Sequence, residues 1–321
     1  MSIRDEVVDF VRYWSMRVEV PISCLLGWLA FPGSTWYDWQ RRYGQANQHN
    51  APIPRAFWLT LGEKERIIAF HLEHPQEGYR RSTFLMLDRD LVAVSASSVY
   101  RVLKEVGLLQ RWDRKPSKKG TGFEQPSAAH EHWHIDISYL NICATFYYLC
   151  SILDGYSRYL VHWEIRESMT EFDVEIVVQR ALERFPGVSS RVISDNGSQF
   201  VAREFKEFIR LSGLTHVRTS PNHPQSNGKK ERFFRTAKEE AIRPGTPLSV
   251  EDARRIMARY STRYNEERLH SAIGYITPQD KLEGRAEAIQ QERQAKLEAA
   301  RQRRKEAFHH PAVPISALAA G

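Results

Sequence analysis

Between residues 132 and 140 the chain reads HWHIDISYL, and its period-two alternation dictates a strand with two different faces. Trp133, Ile135, Ile137 and Tyr139 share one side, and His134, Asp136 and Ser138 share the other. An acid in the middle of a half-buried strand is costly unless it is paired or bound to a cation. Residues 146–153 and 159–165 are two further strand candidates, joined by the turn formers Asp154, Gly155, Tyr156 and Ser157. Three successive strands with short connections predict an antiparallel meander. An amphipathic helix is expected over 171–185, with Val174, Val177, Val178, Ala181 and Leu182 along one side. The segment RVISDNGSQF then gives a short apolar strand ending on Asp195, with Asn196-Gly197 imposing a turn directly after it. That acid is presented at the C-terminal end of a strand, where α/β folds gather their chemistry. A helix over 203–212, a strand over 215–218 and a loop over 220–228 follow. The loop opens a helix near Lys229 that carries Glu231 in its first turn.

The flanks differ from this alternating region. Residues 113–130 hold Pro, Gly, Ser and Lys without apolar periodicity, which reads as a linker. It divides a helical region (1–112) from an α/β core with a C-terminal helix (131–283); a charged helix and loose tail (284–321) complete the chain. Residues 1–112 contain two small helical units. In the first, an apolar segment at 22–31 meets a Pro32-Gly33 break, and Ser34 caps a helix bearing Trp36, Tyr37, Trp39, Arg41 and Arg42. In the second, helices are expected over 63–74, 79–87 and 96–106, the last closed by Gly107. Val99, Val102, Leu103 and Val106 form its apolar stripe, leaving Ser97, Ser98, Arg101 and Lys104 on other faces. A short helix, a turn and a helix with an exposed Ser/Arg face suit a major groove. On periodicity alone, a plain helical bundle with a solvated basic face is the simpler account. The net charge of +7 agrees with a polyanionic partner without specifying one. Cys24, Cys143 and Cys150 form no CxxC pair and are odd in number, which argues against a disulfide framework or a cysteine zinc site. No apolar run reaches membrane-spanning length, and the acidic N-terminus lacks a signal-peptide pattern, so a cytoplasmic protein without membrane partners is expected.

Taken singly, Asp195 before Asn-Gly is an ordinary turn residue and Glu231 an ordinary first-turn glutamate. The set carries more. Two strand-borne aspartates and a helix-borne glutamate can converge on one cluster, whose mutual repulsion keeps at least one acid protonated unless cations are present. Mg²⁺ or Mn²⁺ takes such hard oxygen ligands. Two such ions roughly 3.5–4 Å apart can activate the attacking oxygen and stabilise the leaving oxygen of a phosphodiester.

Asp195 and Glu231 are separated by 35 intervening residues, and with Asp136 upstream this resembles the DD(35)E pattern of retroviral-type integrase cores. The words WHIDISY, SDNGSQF and SPNHPQSNGKKERFFRTAKEE around the acids are similar to those of bacterial insertion-sequence transposases, nearest the insertion-sequence-three family. The segment YNEERLHSAIGYITPQD resembles the tail that follows their core, and residues 78–109 resemble their helix-turn-helix; the resemblance spans roughly residues 20–282. Ser138 stands where a Thr is usual, and Gly228, Lys229 and Lys230 before the glutamate are more basic than in many relatives.

The resemblance implies a ribonuclease-H-like core with a five-stranded mixed sheet and flanking helices, preceded by helical DNA-binding units. It implies Asp136, Asp195 and Glu231 as catalytic metal ligands for two Mg²⁺ or Mn²⁺ ions, acting in DNA end cleavage and strand transfer. It also implies terminal inverted repeats and target DNA as partners, a homo-oligomer on DNA, and in many relatives a protein or fused domain from an upstream reading frame. The chain would then act at the bacterial nucleoid. Lys229, Lys230, Arg232, Arg235 and Lys238 crowd the Glu231 helix and are expected to meet phosphates, and Ser97, Ser98 and Arg101 to meet DNA from the helix-turn-helix. His132 and His134 read as hydrogen-bonded structural histidines, while His223 and Asn227 suit either DNA contact or a helix cap. Two alternatives stand beside this reading: a catalytically inactive or repurposed DNA-binding protein, and a nuclease acting on RNA–DNA hybrids.

Overall fold

A computed structural model describes residues 3–45, 58–109, 125–219 and 228–309 of the chain. Most of the expected linker, the 220–227 loop with His223 and Asn227, and the tail from residue 310 lie outside those residues. The chain forms two compact units, Met1–Arg55 and Ala56–Gly321.

In the first unit, helices α1 (Ile3–Arg17), α2 (Ile22–Trp28) and α3 (Gly33–Arg41) close a small core of Val8, Val11, Leu26 and Trp36. The sequence reading has no counterpart to α1, whose buried valines are interleaved with charges. Ser34 does not cap α3: Pro32 takes the N-cap position with no side-chain cap, and its fixed φ sets the entry to the helix.

The second unit begins with α4 (Leu61–Glu73), α5 (Tyr79–Asp88) and α6 (Ala96–Glu105). Thr60 and Glu63 form a capping box on α4, and the Ser95 hydroxyl accepts the Ser98 N–H at the start of α6. Ile67, Phe70, Met86, Val94, Val99, Val102 and Leu103 pack between the three helices. Val106, expected in the α6 stripe, is instead the C-cap residue and is 47% exposed.

Strands β1 (His132–Ile142), β2 (Thr145–Asp154), β3 (Leu160–Arg166), β4 (Arg191–Ser194) and β5 (Thr215–Arg218) form one sheet in the order β3-β2-β1-β4-β5. The first three strands pair antiparallel, as the meander requires, while β4 joins β1 and β5 joins β4 in parallel. This is the mixed ribonuclease-H-like sheet. On one face Trp133, Ile135, Cys150, Ile152 and Val161 meet α7 (Glu171–Arg184), α8 (Ser198–Val201) and α9 (Arg203–Leu211). On the other, Leu140, Leu149, Leu153 and Ile165 meet Phe233 and Phe234 of α10 (Gly228–Ala237) and Met257, Tyr260 and Tyr264 of α12 (Val250–Glu266). Between those helices lie a π-helical turn (Lys238–Ile242) and the short α11 (Arg243–Gly245). Helices on both faces bury the centre of the sheet, while β5 at its edge stays partly exposed. Asn265, near the end of α12, ties that helix to the sheet edge: its side chain accepts the Leu160 N–H at 2.8 Å and donates to the Leu160 carbonyl at 3.1 Å.

A 3₁₀ turn (Ser271–Ile273) and α13 (Pro278–Leu282) lead to α14 (Ala286–His309), which is held by charge rather than by an apolar face. Arg293 grips both Asp88 carboxylate oxygens at 2.7 Å, and Arg304 reaches Glu63 at 3.0 Å, so α14 is fastened to α5 and α4. No described helix is long and apolar enough to cross a membrane.

Candidate active site

The alternation of β1 decides where its acid goes. Trp133 and Ile135 face α7, so Asp136 and Ser138 face the α10 side. Asp136 is buried opposite Ser151 of β2, and its carboxylate accepts the Ile137 N–H at 2.8 Å. β4 closes at Ser194, one residue before its expected end, and Asp195 starts the turn. The Asp195 carboxylate accepts the Gly197 N–H at 3.0 Å, and the Asn196 amide donates to the Thr219 carbonyl at 3.0 Å. A Cβ on residue 197 would stand 3.1 Å from that carboxylate oxygen, which is why glycine belongs there. The parallel register pairs His134 with Ile193, and continuing it two residues sets Asp195 level with Asp136 on the neighbouring strand. Adjacent strands lie about 4.8 Å apart.

Glu231 is exposed in the first turn of α10. Among the described residues no three His, Cys, Asp or Glu side chains stand close enough together to hold a metal ion, so Glu231 is not gathered with the two aspartates in this conformation. The donor chemistry nonetheless fits a hard divalent cation: one carboxylate on β1, one at the turn that ends its neighbour β4, and a third at the start of α10.

The basic residues divide into two kinds. Arg232 and Arg235 are exposed on α10, as a phosphate contact requires. Lys230 is not: it is wholly buried, and its ammonium donates to both the carbonyl and the hydroxyl of Ser151 at 2.5 Å. This corrects the expectation that it meets DNA. Lys229 donates to the Gly155 carbonyl at 3.0 Å, and Lys238 to the Ser138 hydroxyl at 2.8 Å. Burial pushes both Lys229 and Lys230 down to about 8. On α6, Ser97 and Arg101 are outward, the guanidinium lying against the Ser97 carbonyl and the Ser98 hydroxyl. Ser98 itself is buried at the helix cap, which removes it from the expected contact surface.

His134 also departs from expectation. It is buried, but among the described residues neither ring nitrogen has a hydrogen-bond partner, and its Nε2 packs against Gly155 where a Cβ would stand 3.0 Å away. Burial, with Lys229 and Arg158 nearby, drives it down to about 2, so it is neutral. His132 is likewise buried.

His270, in the segment after α12, has a measurable consequence. Burial holds it well below its ordinary value, with Arg268, Arg81 and Arg158 adding to the effect; the Arg268 guanidinium lies 3.1 Å from its Nε2, the Tyr264 ring stands edge-on to it, and Glu240 ties down Arg268. The folded state therefore keeps this ring neutral where the unfolded chain protonates it, below about pH 6.5. Its stability contribution is present above that pH and lost as the pH falls. Urea unfolding at pH 7.5 and 5.5 is expected to show a loss of about 1.4 kcal/mol from this group. His270→Gln should flatten the slope by that amount; an unchanged slope counts against a buried neutral ring.

Known proteins are similar to this chain in sequence. A family model described as Integrase core domain matches residues 126–224, and a second of the same description matches 212–278. Transposase InsD for insertion element IS2A/D/F/H/I/K of Escherichia coli is 30% identical over 239 residues, covering 67% of this chain and 76% of that protein. Transposase InsD for insertion element IS2D of Escherichia coli (strain K12) matches with the same identity and coverage. Among solved structures, the HTLV-2 integrase catalytic core domain in complex with magnesium (dimeric form) aligns with a TM-score of 0.40 and 17% identity, over 49% of this chain and 98% of that one. The catalytic core domain of BIV integrase aligns with a TM-score of 0.40 and 23% identity, over 49% of this chain and 96% of that one.

Proposed function

Because the chain belongs to the family of insertion-element transposases built on an integrase core domain, we propose that it cuts DNA at the ends of its element and joins the freed ends to target DNA. The observation that carries this reading is Asp136 on β1 and Asp195 directly after the end of β4, the strand paired in parallel with β1, with Glu231 in the first turn of α10. In this reading the three acids are the catalytic residues and the ligands of Mg²⁺ or Mn²⁺, and Glu231 joins the aspartates when DNA and metal are bound. Bound metal, two ions in this proposal, supplies charge neutralisation and activation of the attacking oxygen. Water opens the phosphodiester at the element end and leaves a 3′-OH. That hydroxyl attacks a target phosphodiester in line, forming one P–O bond as the target's own P–O bond breaks, with no covalent intermediate on the protein.

The rest of the chain serves DNA. Arg232, Arg235, Lys229 and Lys238 line the approach to the acids and meet backbone phosphates. The helical region 1–112 is the DNA-binding part, with Ser97 and Arg101 on its α6 recognition face. Residues 131–283 are the catalytic core, joined to that region through 113–130, and α14 braces α4 and α5. Terminal inverted repeats are the specific DNA partner. A homo-oligomer brings two ends together at the nucleoid, and a protein or fused domain from an upstream frame is a further partner.

The test is substrate choice. With Mg²⁺ or Mn²⁺, the full chain should nick and join duplexes carrying the inverted repeats flanking its own coding region, and leave RNA–DNA hybrids intact. Cleavage confined to hybrids indicates a hybrid nuclease. Specific binding of the repeats without any nicking indicates a repurposed DNA-binding protein.

A further inference from the structure

Lys230 is a residue that neither metal ligation nor DNA contact explains. It is fully buried, one position before Glu231. Its ammonium bonds both oxygens of Ser151, and Ser151 is the cross-strand partner of Asp136 on the same face of the sheet. Side chains directly opposite one another across a strand pair have Cβ atoms about 5 Å apart. Phe233 and Phe234 flank the ammonium with ring centroids at 5.3 and 4.9 Å, which closes the rest of its surroundings against water.

We propose that Lys230 is a built-in cation of the carboxylate site, which neutralises part of its negative charge and thereby sets its affinity for divalent metal. The proposal rests on the reading of Asp136 and Asp195 as metal ligands. A buried ammonium is costly and is retained where opposing charge or hydrogen bonding compensates it. Here Ser151 supplies two acceptors and Asp136 the opposing charge: Asp136 acts on Lys230 more strongly than any other charged group and favours its charged form. The ammonium in turn sets a positive charge beside Ser151, directly across the strand pair from Asp136. It also repels a divalent ion entering the site, so metal is held more weakly than the acids alone would hold it. A weaker site is emptied and refilled more readily. Because Lys230 and Glu231 are adjacent, the bonds that anchor the ammonium also fix the first turn of α10 on β2.

A role confined to that anchoring makes a different prediction, and metal affinity separates the two. Mn²⁺ binding to the full-length protein is measured by isothermal titration calorimetry, with circular dichroism and urea unfolding as controls for fold. Lys230→Met is expected to tighten Mn²⁺ binding at least about tenfold. Lys230→Gln, which keeps a donor for Ser151 but no charge, should do the same and serves if the methionine variant fails to fold. Ser151→Ala keeps the charge and should leave affinity within about twofold, the size of ordinary scatter between related variants. Unchanged or weakened Mn²⁺ binding in the folded Lys230 variants overturns the proposal. The parent and Asp136→Asn distinguish that failure from failure of the site itself: if the parent binds Mn²⁺ and Asp136→Asn does not, the metal site stands and only the role of Lys230 falls. A parent that binds no Mn²⁺ overturns both.

Discussion

Asp195→Asn is expected to lower metal-dependent cutting and joining of element ends at least about a thousandfold, equivalent to about 4 kcal/mol of transition-state stabilisation. The substitution is nearly isosteric. The Asn196 bond to Thr219 and the turn after β4 do not depend on the charge, and the new amide oxygen can still accept the Gly197 N–H. What disappears is one negative charge from a site whose chemistry requires several. Urea unfolding of the variant should match the parent within about 1 kcal/mol, since the lost charge lies on the loop that follows β4. A variant that retains activity within a few-fold removes Asp195 from the chemistry. A variant that loses activity together with its fold leaves a structural role instead.

The second large effect is on stability. Asp154→Ala is expected to cost about 3–5 kcal/mol, read as a lower urea midpoint at unchanged m-value. Asp154 ends β2 with no solvent exposure, and its carboxylate is fully engaged. It accepts the His130 N–H at 2.8 Å, the Ser157 N–H at 2.7 Å and the Ser157 hydroxyl at 2.6 Å. Alanine leaves three buried donors without a partner at the turn that carries Gly155, against which both His134 and Lys229 rest. Asp154→Asn retains an acceptor oxygen and should recover part of the loss. Equal loss in the two variants would mean that charge rather than bond count holds the turn.

Asp136 and Asp154 show how far the residues alone can be read. Asp136 stood out because period-two alternation put a carboxylate in the middle of an otherwise apolar strand, and the pairing of β1, β2 and β3 followed from their short connections. Asp154 read only as a turn former, because its burial comes from His130, which approaches from a segment 24 positions away. Lys230 was misjudged for a related reason. In a run of lysines and arginines a single buried member looks like its solvated neighbours, and only contact with Ser151 of β2 reveals it. One signal was available: Lys230 lies three and four residues before Phe233 and Phe234, on the apolar face of α10, whereas Glu231 is turned to solvent. Asn265 belongs to a tail segment picked out by resemblance alone, and its task at the Leu160 backbone depends on the packing of α12 against β3. The proposed convergence of Glu231 with the aspartates is the least legible part. It depends on charge balance among the acids, a cation and DNA, and on no local pattern.

Residues that act as one catalytic unit are grossly non-additive when removed together. The most direct measurement is therefore Mg²⁺-dependent joining of labelled element ends by Asp136→Asn, Asp195→Asn, Glu231→Gln and the Asp136→Asn/Asp195→Asn pair, in folded protein. Each single variant should lose nearly all activity, and the double should be no worse than its worse parent. Activity within a few-fold of wild type in any single variant, or losses that multiply in the double, would contradict a shared centre.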